Sequence, residues 1–314
     1  MAFQLKRKEA ISHGIKRNVR RQIEKALRQL RSKGDPDETV YEVRKRFKRV
    51  RAALRLVRDN LGDTVYHREN FLFRDAARPL TEARDAVVLV ETLDNLTKHS
   101  ADQIKPGVFR EVRTLLAANR KAVTGRVLAG QKVFATVVEA IEPVLTRLED
   151  WTIRQEGWSA VSGGLQCVYQ AGCRALSASC TKPSVENLHE WRKQAKYLWH
   201  GLQLLEPAWT GDEKELGDQV HNLTRLLGED HDLACLRQML GADPLAYGGR
   251  GDLENLFSLI KRRRENLEQQ AFVLGRNIYR DTPTVFTKRM EQSWKPWGSI
   301  KEKEPQVEAG VTVQ

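Results

Sequence analysis

A run of basic side chains near the N-terminus is spaced so that it lies along one side of a helix. Residues 41–58 hold eight basic side chains, and Glu42 is the only acidic one. At about 100° per residue, one side of such a helix is apolar, and the other carries Arg44, Lys45, Lys48 and Arg55, with Arg51 at its edge. Because like charges three or four residues apart repel, this side predicts a binding site for a polyanion, which offsets the repulsion. An ordinary solvated helix face is the alternative.

The same pattern occurs a second time. Residues 189–205 (HEWRKQAKYLWHGLQLL) align with residues 41–57 (YEVRKRFKRVRAALRLV) at an offset of 148, and residues 227–240 align with residues 80–93 at an offset of 147. Near-equal offsets in two separate segments predict an internal duplication. In the second copy the side opposite the apolar residues carries His189, Arg192, Lys193, Lys196 and His200.

Matched basic residues extend the predicted site onto neighbouring helices. Arg74 and Arg78 correspond to His221 and Arg225, and Arg120 corresponds to Arg264. Routine surface charge is the alternative for these pairs. A further set of N-terminal cations has no counterpart in the second copy and is expected to act by general electrostatic attraction: Lys16, Arg17, Arg20, Arg21 and Arg28.

Patterns for catalysis or metal binding are weak, so we expect no enzyme activity, no cofactor and no metal. No nucleophile–base arrangement, glycine-rich phosphate loop or acidic catalytic pair stands out. Glu186-x-x-His189 resembles half of a di-iron site, but Tyr41 stands at the matching position of the first copy. Arg192 and Lys193 would also repel a dication.

Apolar residues recur every three or four positions almost throughout the chain, so these side chains are expected to lie on helices. Pro79 and Pro143 should interrupt two of them. Glycines and prolines between the periodic segments predict helices near residues 5–32, 37–60, 64–98, 106–128, 131–153, 159–180, 184–206, 212–241 and 252–279. The predicted fold class is all-α, with two similar four-helix-bundle halves related by an internal pseudo-two-fold axis.

Composition supports a soluble protein with an anionic partner. The chain has 314 residues, of which 53 are Lys or Arg and 41 are Asp or Glu. Residues 1–58 carry a net charge of +13, whereas the remaining residues carry a net charge of −1. No apolar window reaches roughly 18 residues, and the N-terminus lacks the apolar region of a secretion signal. We therefore expect a cytoplasmic protein whose four cysteines are reduced.

The paired motifs resemble those of the CHAD domain, the conserved-histidine α-helical domain. Members carry two helices similar to H-x-x-R-[KRx]-x-x-[KR], each followed by an L-x-E-x-[RH]-D-like turn. The corresponding residues here are Tyr41-x-x-Arg44-Lys45-x-x-Lys48 with Glu82-x-Arg84-Asp85, and His189-x-x-Arg192-Lys193-x-x-Lys196 with Glu229-x-His231-Asp232. Tyr41 departs from the pattern, because a phenol donates a hydrogen bond but brings no positive charge.

The resemblance implies a CHAD domain over residues 5–290. Its first half would span 5–130, a linking helix 131–155 and its second half 156–285, with an irregular tail over 291–314. The resemblance also implies non-catalytic binding of inorganic polyphosphate in a basic groove and association with polyphosphate granules. The predicted ligand contacts are Tyr41, Arg44, Lys45, Lys48, Arg51, Arg74, Arg78, Arg120, His189, Arg192, Lys193, Lys196, His221, Arg225 and Arg264.

Two alternatives remain. One is nucleic-acid binding, which depends on the same electrostatics, and the other is a helical scaffold for protein partners. Single-strand readers interleave basic side chains with exposed aromatic rings. Here Trp191 falls on the apolar side, and Phe47 and Trp199 fall toward the flanks. A histidine among these cations should be neutral in an empty groove and protonated beside phosphate, which predicts tighter binding below about pH 6.5.

Overall fold

The computed structural model describes residues 3–128, 132–247 and 250–298. Within these ranges the chain forms helices and no strand, which confirms the all-α class. The α-helices are α1 Ile11–Arg31, α2 Pro36–Leu56, α3 Arg58–Leu61, α4 Asp63–Asp75, α5 Thr81–His99, α6 Arg110–Val127, α7 Lys132–Ile141, α8 Val144–Arg147, α9 Ser162–Thr181, α10 Val185–Leu205, α11 Asp212–Ala242, α12 Arg250–Ile278 and α13 Pro283–Gly298. The predicted internal two-fold axis stays a prediction.

Local sequence signals define the starts of α2 and α10, the two helices that carry the repeated basic segments. The Asp35 side chain caps α2 by accepting a hydrogen bond from the Asp37 N–H at 3.0 Å, and Pro36 takes the first helical position. The Ser184 hydroxyl caps α10 by accepting from the Asn187 N–H at 3.3 Å. The second basic segment, residues 189–205, is helical over its whole length, and the first is helical as far as Leu56.

Prolines divide two of the predicted helices, as expected from their missing N–H. The segment predicted over 64–98 consists of α4 and α5, separated by a 3-10 turn that contains Pro79. Pro143 separates α7 from α8, so the predicted linking helix is two short helices followed by non-helical residues. At the N-terminus the first helix starts at Ile11 rather than near residue 5, and the Leu5 N–H donates to the Leu204 carbonyl at 2.9 Å.

The prediction of an irregular tail from residue 291 is wrong for its first part, because α13 continues to Gly298. Its buried residues Phe286, Met290 and Trp294 recur every four residues, which gives the helix an apolar side. The Trp294 ring packs against the Trp158 ring, with centroids 5.6 Å apart. The rest of the predicted tail lies outside the described residues.

Burial of the apolar sides of α2 and α10 determines where their basic sides point. Val43 and Leu54 of α2 and Trp191 and Leu198 of α10 are fully buried in one hydrophobic core. The two helices also pack against each other, and α5 packs against α11. Because the apolar sides are held in the core, the basic sides face the space between α2, α5, α10 and α11.

The close approach of α9 to α2 requires a glycine. A Cβ atom on Gly164 would lie 2.1 Å from the Leu56 carbonyl oxygen, a distance that no side chain permits.

Among the helices in the described part of the chain, none combines the length and the hydropathy needed to cross a bilayer.

Candidate functional site

A cavity of about 630 Å³ lies between α2, α5, α10 and α11. Two further cavities, of about 470 and 540 Å³, share Arg192 and Lys196 with it. A fourth, of about 180 Å³, shares Arg44 and Lys48 with the first. We call these four cavities together the central groove, because the shared side chains join them at one place.

Thirteen of the fifteen predicted contacts line this groove. They come from both halves of the predicted duplication, so the repeated basic sides converge on a common space. They are Tyr41, Arg44, Lys45, Lys48, His189, Arg192 and Lys196 in the first cavity, Arg51, Arg74 and Lys193 in the second, His221 and Arg225 in the third, and Arg78 in the fourth.

The other two predicted contacts, Arg120 and Arg264, line none of these cavities. The Arg120 Nε donates to Asp37 Oδ2 at 2.9 Å, which ties α6 to the first turn of α2. The Arg264 Nε donates to Asp230 Oδ1 at 2.7 Å, and its Nη2 donates to Glu268 at 3.2 Å. Asp230 is buried, so Arg264 neutralises a carboxylate inside the helix packing. Both arginines thus pair with carboxylates outside these cavities, and their contact with a ligand stays a prediction.

Several groove cations already have a carboxylate partner on the same helix or in the next turn. Lys45 pairs with Glu42 at 2.8 Å and Lys193 with Glu190 at 2.5 Å. Arg74 and Arg78 share Asp75, at 2.9 and 3.2 Å. These pairs are partly exposed, so each stabilises the free protein only slightly, and a phosphate can compete for the cation.

Lys48 and Lys196 differ from these cations, because neither has an ion-pair partner among the described residues. They occupy equivalent positions of α2 and α10, and both line the first and second cavities beside Arg192. Burial, and then the positive charges of Arg192, Arg44 and Arg84, lower the pKa of Lys48 to about 8. Water still reaches its side chain within the groove. Burial, then Arg192 and Lys48, also hold the pKa of Lys196 well below its ordinary value.

Two arginines at equivalent positions, Arg44 and Arg192, line the first cavity and differ in their polar contacts. The Arg44 Nη1 donates to the Ala77 carbonyl at 3.0 Å and to the Thr81 hydroxyl at 2.7 Å. The Arg192 Nη2 lies 4.0 Å from a carboxylate oxygen of Asp232. The Arg192 Nε is buried and has no hydrogen-bond partner. The guanidinium group of Arg44 is therefore preorganised and loses little freedom when it binds an oxyanion, and that of Arg192 has a donor to offer.

Asp85 and Asp232, the aspartates of the paired turns, also line the first cavity. The nearby arginines lower the pKa of both carboxyl groups, but burial has the larger effect and raises it. They are the groove's internal counter-charges. An incoming anion must compete with them for Arg44 and Arg192.

A histidine pair lies at one side of the first cavity. The Nδ1 atoms of His189 and His231 are 3.3 Å apart, and the His231 Nε2 is 3.6 Å from the Cys235 sulfur. Burial and then Arg192 lower the pKa of His231 to about 3, and the same two causes with Lys193 lower the pKa of His189. Both rings are therefore neutral near pH 7. Within the described ranges, no group of three or more histidine, cysteine or acidic side chains is arranged to hold a metal ion.

Aromatic rings of the groove carry cations or imidazoles on their faces. The Arg55 guanidinium lies 3.6 Å from the centre of the Tyr197 ring, and the Arg74 guanidinium lies 4.5 Å from that of Phe71. The Trp199 ring stacks on His221 at 4.4 Å and lies 4.5 Å from His200. These contacts position the cations and leave less ring surface for stacking with a ligand.

The sequence prediction missed several lining residues. Arg84, His231 and Asp232 belong to the paired turns, and their equivalence at an offset of 147 is the signal that could have included them. Arg49 and Tyr197 gave no such signal, because neither lies on the predicted basic side.

Fold and site together define an all-α protein whose two repeated basic helices line one groove. The model of the CHAD domain family matches residues 15–241, so the chain belongs to the CHAD family. The fold is similar to the crystal structure of the CHAD domain from the plant Ricinus communis, with a TM-score of 0.57 and 15% sequence identity over 89% of this chain and 95% of that chain. A comparison with curated protein sequences gives no match.

Proposed function

We propose that the protein binds inorganic polyphosphate in the central groove and does not transform it. The observation that carries this proposal is the pair Lys48 and Lys196, which have no ion-pair partner among the described residues and repel each other across the groove beside Arg192. Unpaired cations held close together destabilise the free protein. A ligand with a negative charge on every unit removes that repulsion along the whole groove and releases counterions.

The shape of the groove favours a linear phosphate chain. Its four cavities meet at shared cations, so successive phosphates can each find a cation on α2 or α10. Arginines such as Arg44 and Arg192 can hold two oxygens of one phosphate, whereas Lys48 and Lys196 act as point charges that tolerate sliding. Polyphosphate binding is associated with the CHAD family, which supports the same ligand here. Such binding would bring the protein to polyphosphate granules in the cytoplasm.

Nucleic acid is the competing ligand, because its backbone has the same charge. Sequence-tolerant binding of single strands depends on bases that stack on free aromatic rings. The guanidinium groups of Arg55 and Arg74 already lie against the rings of Tyr197 and Phe71 and would compete with a stacking base, which favours a ligand without bases.

The cavity chemistry supports binding without catalysis. Cys235 is the thiol in the first cavity, and burial raises its pKa, so the sulfur is protonated and poorly nucleophilic near pH 7. The neighbouring His231 is close enough to act as a base, but the charged form it would have to reach is strongly disfavoured by burial and Arg192.

Retention on immobilised long-chain polyphosphate at increasing salt, with RNA as a competitor, tests the proposal. We expect the double variant Arg192→Ala/Lys196→Ala to bind at least tenfold more weakly, with unchanged helix content by circular dichroism. The double variant Lys182→Ala/Lys288→Ala removes two exposed cations outside the groove cavities and should bind as the wild type does. Fluorescence of Trp199, which lines the first and third cavities, should report binding directly.

Three outcomes would overturn the proposal. Unchanged affinity of the groove variant would move the site elsewhere. Equal displacement by RNA and by free polyphosphate would make the groove a general polyanion site. Absence of any salt-sensitive retention would favour a scaffold for protein partners.

A further inference from the structure

A second group of cations lies on α1 and α2, which pack against each other, and every member except Arg49 lies outside the cavities already described. On α1, Arg21, Lys25 and Arg28 are spaced four and three residues apart, so they follow one side of the helix. On α2, Arg46 and Arg49 are one turn apart, and the Arg46 Nη1 donates to the Gln22 side chain of α1 at 3.4 Å. We call these five cations the α1 face.

The charges of the α1 face are concentrated. Burial and then Arg46, Arg21, Arg28 and Arg49 lower the pKa of Lys25. Carboxylates nearby offset part of this charge: Glu42 pairs with Arg46 at 2.5 Å and with Lys45, and the exposed Glu24 lies on α1 itself. The face still carries five cations against these two acidic side chains.

The other basic residues of α1 are already bound. The Lys16 Nζ donates to the Glu149 carbonyl at 2.8 Å, Arg17 pairs with Glu9 at 2.5 Å, and Arg20 pairs with the Glu149 carboxylate. Lys25 and Arg28 have no ion-pair partner among the described residues. Of the N-terminal cations that the sequence grouped together, Lys16, Arg17 and Arg20 therefore stabilise the fold, whereas Arg28 is available to a ligand.

Arg49 connects the α1 face with the groove. It lines the first cavity together with Lys45 and Lys48, and its guanidinium lies 5.5 Å from the centre of the Phe3 ring. Its Nε is buried without a hydrogen-bond partner. Cations thus continue from the cavity along α2 to Lys25 and Arg28 on α1.

We propose that a polyphosphate chain too long for the central groove leaves it past Arg49 and continues over Lys25 and Arg28 of the α1 face. This inference rests on the proposed function. It makes the α1 face a length-dependent extension of the site, which long chains use and short chains do not reach. The occupant is the same linear polyanion, because the face continues the positive charge of the groove.

The test compares long-chain polyphosphate with tripolyphosphate on the double variant Lys25→Gln/Arg28→Gln. We expect long-chain affinity to fall about fivefold, because exposed ion pairs contribute little individually. By analogy with single-stranded nucleic acid, the slope of log affinity against log salt concentration should become less negative by about 1.4, which is the contribution of two phosphate contacts. Tripolyphosphate affinity should not change. The matched control, Lys261→Gln/Lys288→Gln, removes two exposed lysines of α12 and α13 and should affect neither ligand.

Two results would overturn the extension: long-chain affinity equal to that of the wild type, or an equal loss for both ligands. The first would show that the α1 face is not contacted, and the second that the variant acts through the groove. Failure of the wild type to bind tripolyphosphate and long chains alike would instead overturn the proposed function on which this inference rests. Thermal unfolding of the variant checks that the fold is retained.

Discussion

Replacement of Lys196 by methionine should weaken polyphosphate binding and stabilise the free protein at the same time. Lys196 lines three of the four cavities and has no ion-pair partner among the described residues. A charged hydrogen bond to phosphate is worth about 1.5–3 kcal/mol, so its loss should lower affinity roughly 10-fold to 100-fold. Methionine keeps the apolar stem of the side chain, so packing changes little.

The expected gain in stability follows from the same geometry. Burial, Arg192 and Lys48 all disfavour the charged form of Lys196 in the folded protein, whereas the unfolded chain exposes it to water. Removing the charge therefore raises the free energy of unfolding. Calorimetric titration with polyphosphate and thermal unfolding in the same buffer at pH 7 measure the two effects, and Lys182→Met controls for the loss of one exposed charge.

Loss of both affinity and stability in Lys196→Met would refute the reasoning, because it would make Lys196 an ordinary structural residue. The wild type offers an independent check through Lys48. Its folded pKa is about 8 and its ordinary value is 10.5, so between these pH values the folded state releases a proton that the unfolded state keeps. Stability should accordingly rise with pH across this window, and the rise should be smaller in Lys48→Met, which keeps only the contribution of Lys196.

Three further predictions concern other residues of the molecule. Burial, Arg192 and Lys193 lower the pKa of His189, and bound phosphate should raise it. Binding should therefore take up a proton and be tighter below about pH 6.5. Equal affinity at pH 5.5 and pH 8 would contradict this prediction. Asp232→Asn should bind polyphosphate several-fold more tightly in a calorimetric titration, because it frees Arg192 from a carboxylate 4.0 Å away; weaker binding would mean that Asp232 positions the arginine. Arg264→Ala should lower stability by about 3 kcal/mol in denaturant unfolding, since buried Asp230 loses its partner, and a loss of affinity as well would return Arg264 to the site.

Sequence periodicity was sufficient to predict the all-α class and thirteen of the residues that line the groove. The three- and four-residue spacing places apolar residues such as Val43 and Trp191 on one side of α2 and α10, and burial of that side determines the direction of the other. Matching offsets then identify equivalent cations in the two copies. These are local or pairwise properties, so the linear sequence contains them.

Tertiary packing alone decided which cations have a partner on a different helix. Arg264 and Lys196 are both basic residues on helices with matched copies, yet Arg264 faces a buried carboxylate and Lys196 faces other cations. In the same way, Arg20 is paired with Glu149, whereas Lys25 on the same helix has arginines for neighbours. The spacing of charges along one helix determines the side on which they lie, but the charges that oppose them come from helices distant in the chain. Only the packing of those helices distinguishes an arginine that stabilises the fold from a lysine that is available to a ligand.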